Sequence, residues 1–132
     1  MIDIENQVFT KVATALRTLF TNITVESVTT YSPSKFPFVC IEETDNYSDR
    51  TTQDTSGDKH AIVMYEVNVY SNKSTGKKTE CKNLINAVDN VMAEMGFTRL
   101  AKVPINSNEA TIYRIFARYT AVVSDSQIIY RR

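Results

Sequence analysis

The chain has 132 residues, room for one domain and not for two comfortable ones. Its composition, 42% hydrophobic and 23% charged with three Gly, three Pro and two Cys, excludes collagen-like, disulfide-scaffold and wholly disordered classes. Fifteen basic side chains balance fifteen acidic ones, which disfavours a ligand held mainly by phosphate neutralisation.

No stretch approaches the roughly 18 consecutive apolar residues of a membrane span. The first residues, MIDIENQVFTKV, carry acids where a signal peptide would carry bases, so a chain made in the cytoplasm is expected. Cys40 and Cys81 then remain thiols in apolar surroundings. The Asn-x-Ser/Thr triplets at Asn22, Asn46 and Asn72 are chance matches in that setting.

Residues 3–20 predict a helix: Ile4, Val8, Val12 and Leu16 recur every four residues, and Phe9 and Ala13 broaden the stripe. Asp3 is the expected N-cap, with Glu5 in the first turn. The β-branched run 23–30 predicts a short edge strand. Ser32–Pro37 forces an extended, turn-rich entry to an apolar strand at 38–43. Residues 44–59 hold one aromatic and no aliphatic side chain, and predict a loop or projecting hairpin arm. Strand character returns at 60–71, with Val63, Tyr65, Val67 and Val69 on one face. A second helix is expected at 77–95, striped by Cys81, Leu84, Ile85, Val88, Met92 and Met95, with Gly96 as its left-handed C-cap. Strands follow at 97–103, stopped near Pro104, at 111–123, and at 127–131. The order is α-β-β-β-α-β-β-β: one α+β domain over 1–132, a mainly antiparallel sheet with two helices packed on one face.

The lengths raise a packing question. A helix of about 17 residues is about 26 Å long, whereas a 13-residue strand spans about 43 Å. The long strand is therefore expected to overrun the helices. Its outer face interleaves Ile112, Phe116 and Val122 with Arg114, Arg118 and Thr120. Such a face predicts association of subunits, sheet to sheet or edge to edge. The competing reading covers it with the 44–59 arm, or pairs Arg114 and Arg118 with Glu42 and Glu66.

Catalytic chemistry finds little footing. The single histidine, His60, borders the polar loop and reads as a solvent-facing strand start. Glu42 and Glu43 are adjacent on a strand and point to opposite faces. One His and two Cys fall short of a tetrahedral zinc set. Ser74–Thr79 lacks the first Gly and the hydroxyl residue of a phosphate loop. No enzyme, cofactor or metal is expected; an interaction module is.

Taken together, IENQVFTKVATALRTLF, the S-P-S-x-F-P-x-V run at Ser32–Val39, the polar excursion, HAIVMYEVNVYSNKSTGKK, Gly96–Arg99, ATIYRIFARYTAVV and the closing IYRR follow one another in a characteristic order. By that order, across essentially all 132 residues, the chain resembles the tail terminator (tail completion, head–tail joining) proteins of long-tailed bacteriophages and prophages. The resemblance implies the α+β fold above. It also implies a non-enzymatic virion structural protein, made in the host cytoplasm and placed at the head–tail junction. Such proteins form a homohexameric ring that caps the tail tube and joins it to the head connector. Genome DNA passes through without specific binding, and no membrane is involved. By position, the 44–59 arm with Tyr47, Asp49 and Arg50 would contact the tube, lumen or a neighbour. Arg114, Phe116, Arg118, Ile128, Ile129, Tyr130 and Arg131 would sit at subunit interfaces. The alternatives are another connector (stopper or adaptor) or tube component, or a small ligand-binding regulatory domain.

Overall fold

The computed structural model describes residues 1–30, 32–51, 59–106 and 109–130. Its elements are α1 (Glu5–Leu19), β1 (Thr24–Glu26), β2 (Phe38–Ser48), β3 (His60–Ser71), α2 (Lys77–Met95), β4 (Thr98–Ile105), β5 (Tyr113–Ser124) and β6 (Ile129–Tyr130). The sheet order is β1-β2-β3-β5-β4, with β6 also paired to β5. Only β1–β2 is parallel; every other pair is antiparallel. β3 occupies one side of β5 along its whole length, so β6 continues the β4 edge beyond Thr98. The expected α+β order holds.

Both helices lie on one face. Val8, Val12, Ala13 and Leu16 of α1 and Cys81, Leu84, Ile85, Val88 and Met92 of α2 meet the inward residues of β2, β3 and β5 in one core. The strand alternation supplies those residues directly: Val39 and Ile41, then Val63, Tyr65, Val67 and Val69, then Ile115, Ala117, Tyr119, Ala121 and Val123. Tyr65 meets Phe97 edge to face at 5.3 Å between ring centroids. Gly96 ends α2 with φ +108, as its C-cap role requires.

Several boundaries differ from expectation. The helix begins at Glu5, after Ile4 rather than after Asp3, although the Asp3 carboxylate still accepts the Glu5 N–H at 3.0 Å. β1 is shorter than 23–30. β2 runs five residues past Glu43, so the first five residues of the polar excursion are strand, paired to β3 as far as Ser48↔Ala61. The cause is a bulge at Thr44, between the pairs made by Glu43 and Asp45. It reverses the alternation, turning Asn46 toward the helices and Tyr47 away from them. β4 passes through Pro104, which an edge strand tolerates because its missing N–H can face solvent.

The expected overrun of β5 does not occur. Ile2 and Ile4, both buried, extend the helical layer beyond α1, and the Asn46 amide ties that segment down by donating to the Ile2 carbonyl at 2.7 Å. Ala121 and Val123 are fully buried in the same core as Ile2 and Ile4.

Candidate functional site

The helix-free face of the sheet is where the expected interface residues gather. Register places its side chains in cross-strand rows. One row reads Tyr47–Ile62–Val122–Tyr130 over β2, β3, β5 and β6. The next rows toward the other end read Asp45–Met64–Thr120–Thr98, Glu42–Glu66–Arg118–Ala101, Cys40–Asn68–Phe116–Val103 and Phe38–Tyr70–Arg114–Ile105.

Part of this face is closed by the chain itself. Residues 28–30 and 32–36 close one end, where Phe38, Cys40 and Tyr70 form a second small core with Phe36 and Ile112 packed on it. The Tyr70 hydroxyl donates to the Thr30 carbonyl at 2.9 Å, and the Thr29 hydroxyl donates to Glu42 Oε1 at 2.8 Å. Glu42 is therefore engaged with Thr29. Arg118 pairs with Glu66 at 2.8 Å, and Arg114 donates twice to Asn68 Oδ1 at 2.7 and 2.9 Å. The Arg118 guanidinium also lies over the Phe116 ring at 5.5 Å. Of the expected Arg–Glu pairs, Arg118–Glu66 forms, and Arg114 bonds Asn68.

The opposite end stays open. Tyr47 and Tyr130 are 43% and 47% exposed and flank the more buried Ile62 and Val122. Asp49, His60, Val122 and Tyr130 line a shallow hollow of about 270 Å³. The rings of His60 and Tyr130 are 6.0 Å apart, and His60 Nδ1 is buried with no hydrogen-bond partner among the described residues. His60 is thus half-buried in the face, not a solvent-facing strand start. Asp49 donates its N–H to the His60 carbonyl at 2.9 Å and accepts the Thr51 hydroxyl at 2.7 Å. Arg50 is exposed beside it.

Ile129 is half-buried, packed against the protein's own core with its methyl over Gly96, on the helix side of the sheet. Ile128 is 52% exposed, while Arg131 lies outside the described residues. Ile62 and His60 were not expected in the site. The period-2 alternation of β3 placed Ile62 on this face, but only the bulge at Thr44 brings Tyr47 alongside it.

Two borders of the sheet are guarded, at β1 and at β4, while Ile41–Ser48 of β2 has no strand beyond it among the described residues. β1 has three residues. β4 carries a bulge at Leu100, together with Lys102 and Pro104. Each of these obstructs pairing with another strand. At these two borders contact through side chains on the face is favoured over extension of the ladder.

Among the described residues, one carboxylate set has metal-like spacing: Asp3, Glu5 and Glu43, with oxygens within 4.8 Å of one another. Their oxygens already accept protein donors. Glu5 Oε2 takes the Glu43 N–H at 2.8 Å, and Glu43 Oε1 takes the Tyr65 hydroxyl at 3.2 Å. Burial pushes the Glu43 carboxyl above its ordinary range; bonds from Asn46 and Tyr65 oppose this, and repulsion from Glu5 and Asp3 reinforces it. The set braces α1 against β2.

Compared with protein-family models and with curated proteins, the chain matches none.

Proposed function

We propose that the chain is a structural protein of a bacteriophage virion, capping the tail tube as an oligomeric ring and joining it to the head connector. The observation that carries this reading is the helix-free face, with its open Tyr47–Ile62–Val122–Tyr130 row. Tyrosine pairs flanking aliphatic side chains are common anchors of protein interfaces. The two guarded borders add support, because a cap must bind neighbours without becoming a template for further strands. The order of elements agrees with the resemblance seen in the sequence.

Electron microscopy and sedimentation of the purified chain, alone and mixed with uncapped tail tubes, test the reading. Rings that seat on one tube end and halt elongation are expected. A strict monomer that leaves the tubes uncapped would overturn it. Stacking into long tubes would instead identify a tube component.

A further inference from the structure

Resting on the ring reading, we infer that the helix-free face receives the lysine-rich turn before α2 of a second copy of this chain. Within its strands the face carries four acids, Glu26, Glu42, Asp45 and Glu66, against two bases, Arg114 and Arg118, a net charge of −2, and Asp49 and Lys35 just outside the strands offset each other. Glu26 and Asp45 are exposed, and all four acids belong to β1, β2 and β3.

The segment 72–82 is the counterpart. It holds Lys73, Lys77, Lys78 and Lys82 against Glu80 alone, a net charge of +3, and residues 72–76 are exposed. Ion pairs among the described residues join Lys59 to Asp125, Arg99 to Asp89 and Arg118 to Glu66; none uses these lysines. Glu80, the one acid of the turn, is engaged by the Ser71 hydroxyl at 2.6 Å.

Charge decides the mode of contact. Face on face sets −2 against −2, and turn on turn sets +3 against +3. Only face on turn is attractive. The two patches differ, so the contact is heterologous, and repetition of it closes into a ring when the rotation between copies divides the circle. Phosphate-like salt effects follow: the contact weakens once the screening length falls below about 10 Å.

Two variants test this without disturbing the core. K77E/K78E turns the lysine segment to −1 and places acids in the first turn of α2, where the helix dipole favours them. E26K/D45K turns the face to +2 at two exposed positions. Sedimentation equilibrium at low salt should show assembly of the unaltered chain, and association about tenfold weaker or worse for either variant alone. An equimolar mixture of the two variants should recover assembly, because each face then meets a turn of opposite charge. Variants that associate like the parent, a mixture that stays dissociated, or a monomeric parent would each overturn the proposal. Parent rings indifferent to the substitutions would leave the ring reading standing and remove only this contact.

Discussion

Gly96 and Ile129 meet where the end of α2 touches the last strand. A Cβ built on Gly96 would lie 3.2 Å from Ile129 Cγ2, and the residue already sits at φ +108. Gly96→Ala therefore combines left-handed backbone strain with crowding of β6. It should cost about 1–2 kcal/mol in urea unfolding. Ile129→Ala removes the crowding, so the double variant should lose less than the two single losses together.

Glu43 gives stability a pH dependence of defined sign. Its folded pKa lies above the ordinary value of 4.5, so the folded state holds the proton more tightly. Stability is then lost as pH rises from near 4.5 through the folded pKa of Glu43. Glu43→Gln should flatten that part of the pH–stability curve and leave the protein no less stable at pH 7. A steeper loss in the variant than in the parent would contradict the assignment.

Asp89 serves two partners. Its Oδ1 accepts the buried Tyr119 hydroxyl at 3.0 Å and lies 3.0 Å from Arg99 Nη1. Asp89→Ala orphans that hydroxyl and should cost about 1–3 kcal/mol. Tyr119→Phe removes the donor along with its need for a partner and should cost less. Denaturant midpoints of the two variants give the comparison.

Both thiols should be silent in the folded chain. Cys81 is pushed up to about 12, chiefly by burial and then by the charge of Glu80, and burial raises Cys40 despite opposing hydrogen bonds. A disulfide reagent at pH 8 should label neither cysteine until denaturant is added. Rapid labelling of one thiol in the native protein would show that its part of the core opens.

The hairpin sets how the arm can be shortened. Residues as far as Ser48 and from His60 onward are paired, so removal of 46–57 would cut into the sheet. Replacing 50–58 by a short Gly-containing turn should keep the fold, measured by circular dichroism and thermal unfolding. If the arm contacts the tube or a neighbour, the same variant should fail to cap tubes. Normal capping would remove the arm from the site.

Much of the architecture was legible because burial leaves period. The 3.6-residue stripe of Cys81, Leu84, Ile85, Val88 and Met92 and the strict alternation of β3 both reproduce in the core. What escaped were features without period. A bulge at Thr44 is a single polar residue in a polar run, so the strand beyond Glu43 read as loop. Ile2, outside any helix, gave no sign that it joins that core. Residues 28–30 and 32–36 showed their Pro and Ser but not that they would close the end at Tyr70. The face itself was anticipated from Arg114, Phe116 and Arg118. Its open end depends on the reversed alternation after Thr44, which no local pattern in the chain announces.

The obstructed border at Leu100, Lys102 and Pro104 bears on how this molecule could evolve. With main-chain adhesion hindered along that border, partner choice there is left to individual surface side chains, which single substitutions can retune. Such a border could adapt to a new neighbour in small steps.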